Sequence, residues 1–158
     1  MNNFARSWMK DSPLCSDIMI SLHPRHADNV IAGRKTVELR RRRITVEPGT
    51  RVWIYSTRPK AHVSVVAIVD RVLTASQDEL WKEYSSEVAI TKAEFDEYCR
   101  GAQEVHALIF REVSALKRAI SLSEVRRRVP SFHPPQFFKK LRPNGREIQL
   151  FWSRSSSL

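Results

Sequence analysis

Ten residues, numbered 34 to 43 and reading RKTVELRRRR, carry six cations and a single carboxylate. The alternation of side chains along a strand predicts one polar face here, with Val37 and Leu39 pointing the other way into a core. The polar face comprises Thr36, Glu38, Arg40 and Arg42. Arginine binds phosphate oxygens or base edges through two parallel hydrogen bonds, and a carboxylate among arginines can fix their directions or accept a proton. The pattern predicts an anion site, although an edge strand that only discourages aggregation would carry similar charges.

A second group of candidate contacts follows the β-rich run RVWIY at residues 51 to 55. Tyr55 ends that run and could offer a surface for an unpaired base to stack on, although such aromatic residues more often belong to a core. Ser56 and Arg58 come directly afterwards. Hydroxyl groups and a cation at the end of a strand predict a second wall of a ligand cleft.

The C-terminal part of the chain is also cationic. Arg126, Arg127 and Arg128 fall at the end of a predicted helix, where the helix dipole favours cations whether or not they bind a ligand. Further cations follow at Lys139, Lys140, Arg142 and Arg146. If they share a face with Arg41, Arg42 and Arg43, they could follow a nucleic-acid backbone.

The 158 residues are 42% hydrophobic and 28% charged, which indicates a single soluble globular domain. The formal net charge of +10 favours a polyanionic partner, nucleic acid before anionic lipid. Residues 75–115 hold nine of the 17 acids and four of the 27 Lys and Arg residues, so the remainder, with 23 bases and eight acids, carries +15. We expect a cationic face that binds RNA or a nucleotide, and an acidic segment, 75–115, that could bind a protein.

Several classes of site find no support in the sequence. Cys15 and Cys99 give neither a disulfide framework nor metal-ligand spacing, and His23 and His26 lack a third ligand, so we expect no metal and no cofactor. No apolar run has the length of a signal peptide or of a membrane span, which predicts a reduced, cytoplasmic protein. Residues 1–17 lack periodicity and predict a loosely ordered leader before a domain over residues 18–158.

The order of predicted elements begins with strand, helix, strand. Residues 18–22 form the first strand, Pro24 opens a helix that Gly33 closes, and the cationic motif forms the second strand. Pro48 and Gly49 predict a type II turn and a hairpin leading into residues 51–55. Residues 62–73 are β-branched on both faces, as expected of a long central strand that bends midway.

Three capping boxes predict short helices in the second half of the chain. They pair Ser76 with Glu79, Thr91 with Glu94, and Ser121 with Glu124. A strand over residues 105–113 separates the last two helices. Residues 137–141 are predicted as a further helical turn, and residues 148–152 as a final strand that closes the sheet.

Residues 33–40, GRKTVELR, resemble the G-x-K-x-x-E-x-R signature of ASCH domains. The resemblance extends to ISLHPRHADNVIAGRKTVELR, VWIYSTRP, SQDELWKEY, ITKAEFDEY, SLSEVRRR and PPQFFKKL, roughly residues 18 to 141. It implies an α+β fold, a small PUA-like β-barrel with flanking short helices, and a cleft lined by the motif. It also implies RNA binding and, by analogy, a strand carrying Trp53 and Tyr55 beside the motif.

Some ASCH proteins are amidohydrolases that remove an acetyl group from a modified cytidine with a Lys, a Thr and a Glu. Aligned on the motif, that Lys matches Lys35, the Thr position falls on Glu38, and the Glu position falls near Glu87 or Val88. A carboxylate cannot replace the hydroxyl nucleophile, but Glu38 could act as a general base on water while Lys35 stabilises an oxyanion. Lys35 and Glu38 are therefore the candidate catalytic residues if the chain is an enzyme.

The leading hypothesis from the sequence is an RNA- or modified-nucleotide-binding module. Its cleft is rimmed by Lys35, Glu38, Arg40 and Tyr55, and the outer arginines contact the phosphate backbone. The first alternative is an amidohydrolase or ribonuclease acting on modified nucleosides or RNA. The second is a regulatory protein that senses a small anionic ligand and recruits a partner through its acidic helices.

The uneven charge predicts that RNA binding is largely electrostatic. Affinity should fall steeply with salt, with a slope of about 0.7 in log–log terms for each phosphate contact on single-stranded RNA, because each neutralised phosphate releases counterions. Replacing Arg41, Arg42 and Arg43 by Ala should weaken binding to all sequences alike and flatten the slope. Fluorescence anisotropy at several salt concentrations measures both effects. An RNA affinity that does not change with salt concentration would contradict the prediction.

Overall fold

The structure is a computed structural model that describes residues 16–155. Its strands are β1 (Asp17–Leu22), β2 (Val37–Arg40), β3 (Arg51–Ser56), β4 (His62–Ala75), β5 (Val105–Ser121) and β6 (Phe138–Leu141). Its helices are α1 (Pro24–Ile31), α2 (Gln77–Tyr84), α3 (Lys92–Cys99), α4 (Leu122–Arg128) and α5 (Arg146–Ser155). The predicted leader over residues 1–17 lies almost wholly outside the described residues.

The six strands form one sheet in the order β2-β5-β4-β3-β1-β6. Strands β1 and β3 are parallel, and the other neighbouring pairs are antiparallel. The long β4–β5 pair changes register at three places between Val63 and Arg71. Such irregularities bend a strand and increase its twist. The sheet is therefore curved at its centre, as the sequence of β4 predicts.

The curvature brings the two edges of the sheet together without closing it. Arg40, the last residue of β2, donates a hydrogen bond of 3.2 Å from its NH1 to the carbonyl oxygen of Phe137, which directly precedes β6. Across a flat six-stranded sheet these edges would lie about 24 Å apart. No ladder joins β2 to β6 within residues 16–155, so the sheet is open where the family resemblance implies a closed barrel.

Apolar side chains in the described part of the chain form three clusters. One lies between α1 and one face of the sheet, and includes Ile18, Ile54 and Leu108. A second packs α4 and α5 onto the other face around the buried Trp53. The third joins the outer side of β2 and β5 to α2 and α3, and contains Val37, Leu39 and Phe95. The predicted alternation along β2 is confirmed, because Glu38 and Arg40 point away from this third cluster.

Local sequence signals correctly predict most helix ends. The hydroxyls of Ser76, Thr91 and Ser121 each accept a hydrogen bond from the backbone three residues later. The first two form complete capping boxes, whereas the carboxylate of Glu124 binds Arg154 instead of returning to the backbone. Gly33 has a φ of +73°, so α1 ends in the left-handed conformation that glycine adopts without strain.

Three sequence predictions of local structure are wrong. The turn at residues 47–50 forms, with Thr50 N bonded to Glu47 O and Gly49 at a φ of +88°, but it makes no β2–β3 hairpin because β2 pairs with β5. Residues 138–141 form β6 rather than a helical turn, since they pair with β1. Residues 148–152 lie within α5, where Ile148 and Phe151 are buried on one helix face. Short aromatic runs fit either period, and packing decides between them.

Within the described residues, no helix has the length and hydropathy needed to cross a membrane.

A buried ion pair fixes the start of the sheet. Asp17 accepts hydrogen bonds from Nε and NH2 of Arg51, both at 2.6 Å, and from Nε1 of Trp53 at 3.0 Å. Asp17 and Arg51 are register partners in β1 and β3, and their side chains are 5% and 11% exposed. The Trp152 ring lies 4.9 Å from the Arg51 guanidinium. The pair therefore links two parallel strands and α5.

We predict that Asp17→Ala lowers the free energy of unfolding by about 3–5 kcal/mol, because it leaves the Arg51 guanidinium buried without its carboxylate. Urea unfolding followed by circular dichroism measures the change. Glu83→Ala on the exposed side of α2 is the control and should change stability by less than about 0.5 kcal/mol. Equal effects of the two substitutions would contradict a stabilising role for the pair.

Candidate functional site

Lys35 is a buried cation at the entrance to β2. The backbone leaves α1 through Gly33, and Arg34 N and Lys35 N both bond to the carbonyl oxygen of Asn29, which holds the connection tightly. Lys35 is 3% exposed, and its Nζ donates to the carbonyl oxygens of Val37 at 2.9 Å and Val88 at 3.0 Å. It also lies 3.2 Å from Oε2 of Glu38. Three oxygens thus surround an ammonium that has three donors.

Glu38 lies between two cations. Its Oε1 is 3.1 Å from NH2 of Arg40, while its Oε2 faces Lys35. The Glu38 and Arg40 side chains are 10% and 9% exposed. The Arg40 contact is an ion pair without hydrogen-bond alignment, and Nε and NH2 of Arg40 have no hydrogen-bond partner among the described residues. We name Lys35, Glu38 and Arg40 the ion cluster. It corresponds to the K, E and R of the motif.

A cavity of about 580 Å³ lies above Glu38, between α1 and α3. We name it the large cavity. Its lining comprises Arg25, His26, Lys35, Glu38, Leu39, Ile90, Ala93, Glu94, Glu97 and Tyr98. NH1 of Arg25 and Oε1 of Glu94 form a 2.7 Å ion pair that joins α1 to α3. A backbone hydrogen bond at Thr91 and the Arg25 guanidinium lower the pKa of Glu94 to about 2.

His26 lines the large cavity beside the ion cluster. Burial lowers its pKa below the usual 6.5, and the charges of Lys35 and Arg25 act in the same direction, while Glu38 opposes them. Its Nδ1 is buried without a hydrogen-bond partner in the part of the chain that the structure describes. The imidazole is therefore neutral near pH 7 and able to accept a proton.

Tyr98 separates the large cavity from a second one. Its hydroxyl donates a 3.0 Å hydrogen bond to the carbonyl oxygen of Leu39. Burial of the hydroxyl raises its pKa, and the nearby Glu38 raises it further. The residue as a whole remains 39% exposed, whereas most large hydrophobic residues in the described part of the chain are buried or half-buried. Tyr98 therefore presents its ring to solvent while its hydroxyl stays protonated and fixed.

The second cavity, of about 320 Å³, is cationic, and we name it the small cavity. It is lined by Arg40, Arg41, Arg42, Tyr98, Gln136 and Phe137. NH2 of Arg41 donates to the carbonyl oxygen of Arg100 at 3.1 Å, so this side chain reaches the C-terminal end of α3. The Phe137 ring lies 5.9 Å from the Arg40 guanidinium. No acidic side chain lines this cavity among the described residues.

The structure brings together five of the predicted site residues. Lys35 and Glu38 line the large cavity, and Arg40, Arg41 and Arg42 line the small one. Arg43 is exposed and lines neither cavity. In the motif alignment, the catalytic Glu of the related hydrolases falls near Glu87 or Val88. Val88 contributes a carbonyl oxygen to Lys35, and the Glu87 side chain bonds to Ser86 outside both linings.

The second predicted wall lies elsewhere. The expectation that Trp53 and Tyr55 occupy a strand beside the motif is wrong, because β5 and β4 separate β2 from β3. Tyr55 is 5% exposed within the second cluster, and Ser56 is fully buried. Burial raises the pKa of Tyr55, and Arg126 and Arg58 act against that rise. Tyr55 is therefore near these two cations and away from the cavities.

The predicted C-terminal cations are exposed, except for Lys139, which is half-buried. Arg126, Arg127 and Arg128 occupy the last turn of α4. Arg126 donates from Nε to the carbonyl oxygen of Phe132 at 3.0 Å. Lys139 places its Nζ 4.5 Å from the centre of the Phe132 ring. These side chains form a group around residues 126–139 that is distinct from the linings of the large and small cavities.

Sequence analysis missed His26 and Tyr98 as site residues. The sequence marks His26 only as a possible metal ligand and assigns Tyr98 no site role. They meet the motif because α1 and α3 both border the large cavity, and a single sequence carries no direct signal of that proximity. No group of three or more His, Cys, Asp or Glu residues with the arrangement of a metal site occurs within residues 16–155.

The lowered pKa of His26 predicts a pH effect on stability. Below pH 6.5 the unfolded chain binds a proton at this position while the folded protein does not, so the free energy of unfolding falls as pH drops from 6.5 through the folded-state pKa. His26→Gln should flatten the decline measured by urea unfolding between pH 7 and 5. His62→Gln should flatten it as well, because burial also lowers the pKa of His62. Parallel curves for the variants and the parent protein would contradict this account.

Comparison with known proteins identifies the family. A family model described as a domain of unknown function (DUF365) matches residues 18–130. An ASCH domain-containing ribonuclease of Zymomonas mobilis is 31% identical over 134 residues, which cover 85% of this chain and 90% of that protein. The crystal structure of ASCH from Zymomonas mobilis matches with a TM-score of 0.81 at 31% identity, over 87% of this chain and 94% of that one.

A more distant structure shares the fold alone. Human THYN1, in complex with DNA that contains 5-methylcytosine, matches with a TM-score of 0.52 at 10% identity, over 87% of this chain and 96% of that one. The family model covers well over half of the present chain, and the Zymomonas relative is matched along most of its length. This chain matches the DUF365 model and belongs to the ASCH domain proteins, the family that the motif around Lys35 resembles.

Proposed function

We propose that this protein binds single-stranded RNA, or a modified nucleotide, in the cleft formed by the large and small cavities. The observation that carries the proposal is the ion cluster on the floor of that cleft. Glu38 is held from both sides by Lys35 and Arg40, so its carboxylate is oriented before a ligand arrives. Prearranged polar groups in a partly shielded site bind more tightly than flexible ones on a surface.

The charges around the cleft support a nucleic-acid ligand. Arg41 and Arg42 are exposed beside the small cavity and offer donors that match phosphate oxygens. Arg43 continues the same run. Tyr98 offers an aromatic ring of the kind on which unpaired bases stack. The name of the Zymomonas relative, a ribonuclease, favours RNA as the polymer.

A second candidate function is cleavage of RNA. A ribonuclease that uses the ribose 2′-hydroxyl as nucleophile needs a base to take its proton, and a neutral imidazole serves that role near pH 7. His26 has such an imidazole beside the ion cluster, and a relative 31% identical is named a ribonuclease. These two observations favour ribonuclease over amidohydrolase activity.

Amidohydrolase activity has weaker support. Lys35 already has three oxygen neighbours, so an oxyanion would have to displace one of them. Glu38 stands where the related hydrolases have a hydroxyl nucleophile. We therefore expect no removal of acetyl groups from N-acetylated cytidine by the purified protein.

The remaining predicted RNA-binding residues lie outside the cleft. Arg58 and the exposed residues Arg126 to Arg128 contact RNA beyond the cleft, whereas the buried Tyr55 and Ser56 have no direct part in binding. The acidic residues of α2 and α3 could still recruit a protein partner. A cytoplasmic location remains a prediction of the sequence.

Glu38→Gln tests the binding proposal. The amide loses the charge that holds Lys35 and Arg40, so we expect affinity for a single-stranded RNA to fall about tenfold, equivalent to about 1.4 kcal/mol. Fluorescence anisotropy at low salt measures it, and thermal melting verifies that the variant is folded at the assay temperature. Glu83→Gln on α2 is the control. A folded Glu38→Gln protein that binds RNA as well as the parent would show that the cluster is not the site.

A cleavage assay separates the two candidate functions. End-labelled single-stranded RNA is incubated with the purified protein and resolved by gel electrophoresis. Cleavage that disappears in His26→Ala, while Lys82→Ala remains active, would favour the ribonuclease. Binding without cleavage would favour the module.

A further inference from the structure

The two cavities differ sharply in charge. The side chains that line the large cavity include three acids, Glu38, Glu94 and Glu97, and two fixed cations, Arg25 and Lys35. With His26 neutral, their formal sum is −1. The small cavity has three arginines and no acid among its described lining residues, a sum of +3. A phosphate group entering the cleft is therefore repelled on one side and attracted on the other.

The two cavities are close enough for one ligand to occupy both. Glu38 lines the large cavity and Arg40 lines the small one, and their charged groups are only 3.1 Å apart. Tyr98 lines both cavities. Among the residues that the structure describes, only the Glu38–Arg40 ion pair and the Tyr98 ring separate the two cavities. This separation is shorter than a nucleotide, so one nucleotide can reach into both.

Tyr98 is held in a fixed position between the large cavity and the small cavity. Its hydroxyl is bonded to Leu39 O, the backbone of β2 between Glu38 and Arg40, so the ring cannot swing away without losing that hydrogen bond. The exposed ring offers a face for stacking, and base–aromatic stacking contributes about 1–3 kcal/mol per base. Leu39, Ile90 and Ala93 add apolar surface on the large-cavity side.

We propose that the cleft holds a phosphate-bearing nucleotide unit across Tyr98, with base and sugar in the large cavity and phosphate in the small one. This inference rests on the proposed function and names its ligand class: a nucleotide rather than a nucleoside. A volume of about 580 Å³ is within the range of small-molecule sites and accommodates a base with its ribose. Arg41 and Arg42 bind the phosphate, and Glu38 accepts a hydrogen bond from an amino group of the base.

The phosphate recognised could be the one on the 5′ or on the 3′ side of the sugar. The two share their chemistry, and separate probes distinguish them. The probes are adenosine, adenosine 5′-monophosphate and adenosine 3′-monophosphate, chosen because adenine carries an exocyclic amino donor. Binding of each to the full chain is measured by isothermal titration calorimetry at low salt.

At least one monophosphate should bind ten or more times more tightly than adenosine. Arg42→Ala should remove that advantage while leaving the affinity for adenosine unchanged. Tyr98→Leu should weaken adenosine and the monophosphate alike, and Tyr98→Phe, which keeps the ring, should weaken them less. Lys82→Ala, an exposed cation outside both cavities, is the control and should change nothing.

The outcomes separate this inference from the proposed function. If RNA binds but neither monophosphate exceeds adenosine, if no mononucleotide binds measurably, or if Arg42→Ala weakens adenosine and monophosphate equally, the arrangement across Tyr98 is wrong and RNA binding stands. If RNA itself fails to bind at low salt, the proposed function fails. A tenfold preference for phosphate that Arg42→Ala abolishes supports both.

Discussion

The placement of the Glu38 carboxylate between two buried cations is the constraint on which the cleft depends. Lys35 connects that carboxylate to the carbonyl oxygens of Val37 and Val88, and Arg40 connects it to Phe137 on the far edge of the sheet. The segments around β2, Val88 and Phe137, which are far apart in the chain, are thus connected through the Glu38 carboxylate. Removing one member of a buried ionic group leaves the others uncompensated, which costs more than a surface pair would. The geometry of the cleft and the curvature of the sheet are therefore coupled.

Sequence patterns predicted those parts of the fold that are governed by local rules. Helix α1, the hydroxyl caps and the alternation along β2 follow from steric and hydrogen-bonding preferences of a few neighbouring residues. The order of the strands does not, because it is set by contacts between residues far apart in the chain. That is why the expectation of Tyr55 in the cleft fails and Tyr55 lies in the core. Residues 148–152 belong to α5 for a different reason: their apolar spacing fits either a helix or a strand, and packing decides between them.

The site residues also divide into those that a local motif predicts and those that only long-range packing brings together. The motif identified Lys35, Glu38 and Arg40, because one strand face carries the last two and Lys35 directly precedes it. Tyr98 and His26 come from helices that reach the motif only after the chain has folded. Their chemistry depends on that environment, since burial is the largest cause of the shifted pKa in both. A side chain whose properties arise from its surroundings cannot be identified from its own sequence position.

The pairing of β1 with β6 has a consequence for the order in which the protein is assembled during synthesis. Strands β3, β4 and β5 pair with neighbours that are closer in the chain. The β1–β6 edge of the sheet forms only after residues near 141 have been synthesised, because they pair with residues near 17. Until then β1 exposes unpaired backbone, which is a template for aggregation. Gln136 and Phe137 arrive with the same late segment. A nascent chain therefore acquires its central strands early and its arginine-lined cavity among the last features to form.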